Sequence, residues 1–438
     1  MLRSPSNTSS RCRRAPLHRG RHGLLACALA TLLAGAALPA RAQSPEAEPP
    51  VFRLEQLITL ARDAHPALAA ARARVDSAQA AVRSAGALRN PEVEFLTGRQ
   101  HARVPGAAAG SASSLSITQP IEWPALRGAR VQAAEAALDG TRASATGFTL
   151  ELLAELKRRY YGVLRSEAEL QNAREDLALA DQIRSRVAVR VDSGEAPRFE
   201  LVRADTEQLN ARRALRAAEL RVRQAQHELR RLVGPTLPES FRLGTDAEEA
   251  PLGATPQPPG LMRAALLERH PELQAARAEV RAAQARLDVE RQQRLPTLAL
   301  RGGVSREPDL RASQLGVVVS VPLFDRRAGP VAEAEAELRR LSYALSDREL
   351  QLTQQLDTAW QQYQIAAAQV TALESGILRQ AESAMRIAEA AYRSGERGIL
   401  EWLDTQRAFR QARNDLDSAR FDLRVARVEL ERLQAQLP

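Results

Sequence analysis

No proline interrupts the chain between Ala125 and Ala196, and none occurs between Val331 and Leu437. Each stretch is long enough for a helix of roughly 65 residues, which at about 1.5 Å per residue reaches about 100 Å. Helices of ordinary globular domains average about 10–14 residues, so a helix this long must find support along its flanks. Leu356, Tyr363, Val370 and Ile377 recur every seven residues, interleaved with Leu352, Ala359, Ala366 and Leu373. Leu156, Val163, Leu170 and Leu177, with Ala173 and Ala180, repeat the pattern in the first half. A seven-residue repeat predicts supercoiling against neighbouring helices, and alanine in the seam lets those neighbours come close.

The chain is duplicated. Ala64-His65-Pro66-Ala67-Leu68 and the alanine-rich run after it recur as Arg269-His270-Pro271-Glu272-Leu273, 205 residues on, and Pro91 and Pro296 keep that offset. Ser193-Gly194-Glu195 recurs as Ser394-Gly395-Glu396, 201 residues on. These matches predict a first repeat over residues 43–233 and a second over 261–438, joined by a proline-rich linker at 234–260. Each repeat reads as a helix, two strands, a very long helix, a tight turn (193–197 or 394–398) and a further helix. Proline after His65 and His270 marks a helix start, which accounts for both histidines without a metal.

Between the helices the period changes from seven to two. Leu298, Leu300 and Val304 alternate with Thr297, Arg301 and Ser305, while Leu315, Val317, Val319 and Val321 alternate with Gln314, Gly316 and Ser320. Val93 and Phe95, then Leu115 and Ile117 among Ser114, Ser116 and Thr118, do the same in the first half. The alternation predicts strands at about 92–100, 112–121, 297–306 and 313–322, each apolar on one face. Strands of about ten residues have the length that crosses an outer membrane at a tilt. Four strands cannot close a barrel, and open edges are not tolerated in lipid, so copies of the chain would have to pool their strands. A soluble four-stranded sheet packed on the helices fits the same alternation.

Composition removes other classes. Residues 1–42 carry seven arginines and no acid, then the apolar run Leu24–Leu38 and Ala40-Arg41-Ala42, the pattern of a secretory signal cleaved before Gln43. Acylation at Cys27 is the weaker reading, because Leu24-Leu25-Ala26 leaves almost no apolar segment ahead of it. Taking those seven from the 62 basic residues leaves 55 against 53 acids, so the formal +9 charge falls to about +2 and nucleic-acid binding loses its basis. Both cysteines, Cys12 and Cys27, lie in the leader, so the remainder has no disulfide and no thiolate. No P-loop, G-x-S-x-G, H-E-x-x-H or dinucleotide fingerprint is present; no catalytic residue, metal ligand or cofactor is expected.

From about Phe52 to Leu437 the sequence resembles the TolC-like outer-membrane efflux family. The paired His-Pro segments carry the likeness together with Gln119-Pro120-Ile121, Val321-Pro322-Leu323-Phe324 and the two glycine turns. The resemblance implies a mainly α fold with a small β part, in which long antiparallel coiled-coil helices join four transmembrane β-strands per protomer. It further implies a homotrimer that completes a twelve-stranded barrel in the outer membrane and a helical barrel through the periplasm. By the same resemblance Glu200, Tyr392, Arg397, Glu401 and Asp404 would form a periplasmic gate, with glutamate at 200 and 401 where the family usually has aspartate. Tyr392 and Arg397 would hold Glu200, and Glu401 and Asp404 would form carboxylate rings. The turns Ser193-Gly194-Glu195 and Ser394-Gly395-Glu396 would meet a periplasmic adaptor protein, itself coupled to an inner-membrane pump, expected to be proton-driven. Pro322-Leu323-Phe324-x-Arg326-x-x-Gly329 resembles the heavy-metal cation branch. The expected function is a passive exit duct for small molecules or metal cations. An exit duct for type I peptide or protein secretion, and a secreted coiled-coil scaffold without a pore, are the competing readings.

Overall fold

The structure is a computed structural model that describes residues 50–101, 103–244 and 256–436. The expected leader at 1–42 and most of the expected linker lie outside the described residues. The first repeat runs β1 (Val51–Phe52), α1 (Leu54–Ala64), α2 (Pro66–Gly86), β2 (Glu92–Gln100), β3 (Gly110–Ile121), α3 (Pro124–Asp192) and α4 (Arg198–Val233). After β4 (Arg242–Leu243) the second repeat runs α5 (Pro259–Arg269), α6 (Pro271–Gln292), β5 (Thr297–Arg306), β6 (Arg311–Ser320) and α7 (Ala328–Ala372). A π-helical segment, Leu373–Ile377, joins α7 to α8 (Leu378–Arg393), and α9 (Ile399–Leu433) ends the order. None of the described helices is long and apolar enough to cross a membrane.

The proline-free stretches form the longest helices. α3 runs unbroken for 69 residues, with Pro124 in its first turn where no N–H is needed. Near the sheet it packs on α2 and α6, and in its other half on α4 and α9. Gly140 allows the close approach to α6: a Cβ there would sit 3.4 Å from the Cβ of Ala278. Farther along, Leu356, Ala359, Ala366 and Val370 of α7 are buried, but Ile377, expected in the same seam, is exposed. It lies in the π segment, whose extra residue breaks the seven-residue register.

Two apolar clusters repeat each other. Leu57 and Ala61 of α1 pack against Leu153, Leu156 and Tyr160 of α3 and Leu229 and Val233 of α4. Met262 and Leu266 of α5 stand 205 residues from Leu57 and Ala61, and they pack against Leu352 and Leu356 of α7 and Leu430 and Leu433 of α9. Burying each such leucine stabilises the fold by about 1.5–3 kcal/mol.

Two expectations need correction. The helix that opens each repeat is two helices, parted at His65-Pro66 and His270-Pro271, because a residue before proline is driven out of the helical region. Residues 234–244, read as linker, are ordered: Leu237 and Phe241 join the first apolar cluster and β4 pairs in parallel with β1.

The larger sheet has the order β2-β3-β5-β6, antiparallel throughout, and no helix packs across it among the described residues. Packing of the sheet on the helices, the arrangement expected for the soluble alternative, is not seen among the described residues. β3 starts at Gly110 and β6 at Arg311, each two residues ahead of expectation; four residues join β5 to β6, whereas nine join β2 to β3.

Candidate functional site

Two regions stand apart from the helical cores: the sheet and the far ends of the long helices. In the sheet the register aligns Val93 with Ile117, Phe95 with Leu115, Leu115 with Val304, and Leu300 with Val317, giving one face of exposed apolar side chains. The other face carries mostly polar and small side chains, with Leu96 and Val318 also on it. There Arg301 donates to Glu94 Oε2 at 3.0 Å and to Ser116 Oγ at 3.3 Å, spanning three strands. Glu92 lies on this face beside Thr118 and Arg301 in the same row, so the chain brings two carboxylates and one guanidinium to this level. β2 and β6 have no strand partner on their outer edges among the described residues.

At the other end, α3 and α8 stop in the same way. Glu195 N–H bonds to Arg190 O at 2.8 Å and Gly194 N–H to Val191 O at 3.1 Å; Glu396 N–H bonds to Ala391 O at 3.0 Å and Gly395 N–H to Tyr392 O at 3.2 Å. Both glycines take φ +79°, the left-handed conformation that such a cap requires. Ser193 and Ser394 donate their hydroxyls back to Arg190 O and Ala391 O, each at 3.1 Å. Ser193, Gly194, Glu195, Ser394, Gly395 and Glu396 all lie on the surface.

Just behind the turns sits an apolar cluster with one polar contact inside it. Tyr392, 3% exposed, packs with Ile183, Val187, Ala204, Ile399 and Trp402. Its ring stacks on Trp402 with centroids 5.2 Å apart, and the Arg190 guanidinium lies 4.8 Å above it. Its hydroxyl donates to Glu200 Oε2 at 3.1 Å, linking α8 to the first turn of α4. Burial and then the Glu200 carboxylate push the Tyr392 phenol up, so it remains a protonated donor at neutral pH.

The remaining residues of the set are arranged otherwise than expected. Arg397 does not reach Glu200; it pairs with Glu401, one turn into α9, and both are exposed. Asp404 accepts from Arg407 at 3.1 Å, and Arg407 also pairs with Glu207 of α4. The two acidic side chains expected to form open rings therefore each have an arginine partner within the chain. Sequence reading missed Trp402 and Arg407. Ile399, Trp402, Leu403 and Gln406 follow an i, i+3, i+4, i+7 pattern that marks a buried face. The three-residue spacing from Asp404 marks a local pair for Arg407, but nothing local marks its second partner, Glu207, 200 residues away.

Comparison with known proteins agrees with this architecture. The family model described as outer membrane efflux protein matches residues 57–235 and 263–436. The cobalt-zinc-cadmium resistance protein CzcC of Cupriavidus metallidurans is 27% identical over 364 residues, covering 82% of this chain and 84% of that one. The pyoverdine export outer membrane protein OpmQ of Pseudomonas putida is 30% identical, covering 88% of this chain and 84% of that one. Among solved structures, CusC superposes with a TM-score of 0.76 at 20% identity, over 87% of this chain and 91% of the other. The outer-membrane channel OprN gives 0.75 at 19%, over 88% and 90%. With both repeats matched and the two-level architecture in place, the chain belongs to the outer membrane efflux protein family and serves as an outer-membrane channel component of an efflux pump.

Proposed function

We propose that three copies of the chain close into a passive pore, pooling twelve strands into a barrel through the outer membrane and their long helices into a periplasmic duct. The observation that carries this reading is the sheet: apolar on one face, charged on the other and, among the described residues, unpaired at both edges. In hydrocarbon an unpaired edge costs several kcal/mol per unsatisfied group, and joining β6 of one copy to β2 of the next removes every edge. The helical wall has matching borders. Phe199, Val202 and Leu209 stay exposed along α4, as do Tyr343, Leu350 and Ile365 along α7.

In this assembly the polar face lines the pore. Glu92, Glu94 and Arg301 leave one net negative charge per copy at one height, which favours cations over anions. Metal cations are therefore the preferred cargo, and the likeness to CzcC points the same way. Energy comes from an inner-membrane pump, with a proton-driven pump preferred, through a periplasmic adaptor. The adaptor is assigned to the exposed turns Ser193-Gly194-Glu195 and Ser394-Gly395-Glu396. The gate is assigned to Glu200, Tyr392, Arg397, Glu401 and Asp404, with the Tyr392–Glu200 bond holding the tip closed.

Light scattering of the detergent-solubilised protein, with detergent mass subtracted, should give three times the chain mass, and planar bilayers should show discrete conductance steps. A monodisperse monomer that remains soluble without detergent would overturn the pore.

A further inference from the structure

The apolar face of the sheet ends in arginine. Alternation along β2 carries the face of Val93 and Phe95 on to Arg99, and the register that sets Leu115 opposite Val304 also sets Ser113 opposite Arg306. Arg306 is in turn directly opposite Arg311 on β6. All three arginines are exposed, and all project from the apolar face, at the hairpin end farthest from the helices. Among the described residues none of them makes an ion pair, whereas Arg301 on the opposite face is paired with Glu94. Like charges set directly opposite each other in a sheet are destabilising, so this arrangement calls for an anion between them.

Height identifies the anion. From Val321, one residue past the end of β6, to Arg311 at its start the chain takes ten residue steps. At about 3.3 Å per step and a tilt of 35–45°, that is about 25 Å, the height of the apolar band on an outer-membrane barrel. The lower limit of the band is marked by Phe324, fully exposed, and by Trp123, which donates its indole N–H to Pro296 O at 2.7 Å. Aromatic side chains of this kind settle at a membrane–water interface. The arginines then stand at the opposite interface, on the lipid side and level with the headgroups. Arginine matches phosphate with paired N–H donors, and the apolar band directly below accepts acyl chains.

We propose that Arg99, Arg306 and Arg311 form a girdle that binds the phosphorylated saccharide headgroup of outer-leaflet glycolipid, the lipid A class. The proposal rests on the barrel reading above, in which β6 of one copy lies beside β2 of the next and brings Arg311 next to the neighbouring Arg99. The girdle is then continuous around the pore. It ties the channel to the outer leaflet and fixes its depth there.

The test uses the full-length protein in detergent, titrated with diphosphoryl lipid A and read by native mass spectrometry. Parallel arms use dephosphorylated lipid A, inorganic phosphate, and the Arg99→Gln/Arg306→Gln/Arg311→Gln variant. Each arginine near a lipid phosphate contributes about five-fold in affinity, so the variant should bind on the order of a hundred-fold more weakly at low salt. Dephosphorylated lipid A should bind wild-type protein equally poorly. Equal binding by variant and wild type, or by phosphorylated and dephosphorylated lipid, overturns the girdle. Inorganic phosphate binding as tightly as lipid A overturns it too, in favour of a soluble anion. Unchanged single-channel conductance certifies that the variant has folded, and if it fails to assemble, the two lipids on wild-type protein decide alone. A wild type that forms no channel refutes the pore reading, a result distinct from any of these.

Discussion

Replacing Tyr392 with phenylalanine removes a single oxygen from the tip. The ring keeps its stacking on Trp402 and its place under Arg190, because neither contact uses the hydroxyl. The 3.1 Å bond to Glu200 is lost, together with the hydroxyl's polar contact with Arg190. A hydrogen bond to a charged group contributes about 1.5–3 kcal/mol, and the half-exposed Glu200 argues for the lower end. Three copies losing about 1.5 kcal/mol each shift a concerted closed–open equilibrium by about 4.5 kcal/mol, or roughly a thousand-fold. A tip that is closed about 99.9% of the time would then be open about half the time. Planar-bilayer recording of the purified protein reads this directly as open probability. Glu200→Gln keeps an acceptor but removes the charge, so its effect should be smaller. The double variant Tyr392→Phe/Glu200→Gln should add nothing beyond Tyr392→Phe alone. Open probability unchanged in Tyr392→Phe, or fully additive effects in the double variant, would refute a closed state held by this bond.

Gly395→Ala meets no atom within 4 Å but forces a side chain into φ +79°, so it should cost about 1–2 kcal/mol through backbone strain alone and lower the thermal midpoint of the solubilised protein. His270, 1% exposed with neither ring nitrogen bonded, should be replaceable by leucine with a gain of about 1–3 kcal/mol, since a buried unpaired donor is removed. Burial holds the His270 pKa below its ordinary 6.5, opposed by Glu272 and reinforced by Arg432 and Arg348, with Glu429 also facing it. The neutral ring thus adds stability above pH 6.5 that is lost as pH falls through the lowered value; melting curves of His270→Leu should lack that acid-side loss. Arg301→Gln leaves Glu92 and Glu94 uncompensated on the pore face and should move the reversal potential in a salt gradient toward stronger cation preference.

The features repeated along the chain were legible in advance. Leu57, Ala61 and Leu68 are buried, and so are Met262, Leu266 and Leu273 at the 205-residue offset, because each repeat packs its first helices in the same way. The strands could be read because a period of two puts every apolar residue on one face of an extended chain and scatters them around a helix. The glycine turns could be read because left-handed backbone favours glycine. Side-chain pairing could not be read. Arg397 had Glu200 as an expected partner across the helices, but Glu401 lies only four residues on, in the first turn of α9, and needs no helix–helix geometry to be met. Arg407 meets Asp404 three residues before it on α9, but nothing local announces its tie to Glu207 on α4. The trace from 234 to 244 was misread because prolines and glycines at both ends outweighed Leu237 and Phe241, which close the first apolar cluster.

The π segment shows how far a heptad can be trusted. Continued from Val370, the seven-residue register puts Ile387 and Ala391 in the seam, yet Ile387 is 68% exposed and the buried residues are Ala388 and Tyr392. The seam has moved by one residue, the number a π turn inserts into an α-helix. The segment absorbs that residue and so keeps Tyr392 facing Trp402. Deleting Gly376, whose Cα faces open space, should convert Leu373–Ile377 to regular α-helix with Tyr392 still in the seam, leaving open probability and melting unchanged. Inserting one alanine at the same place should turn Tyr392 about 100° away from Glu200 and reproduce or exceed the open probability of Tyr392→Phe. If the deletion opens the channel and the insertion does not, the phase of α8 is set elsewhere, and the π segment has no part in placing Tyr392.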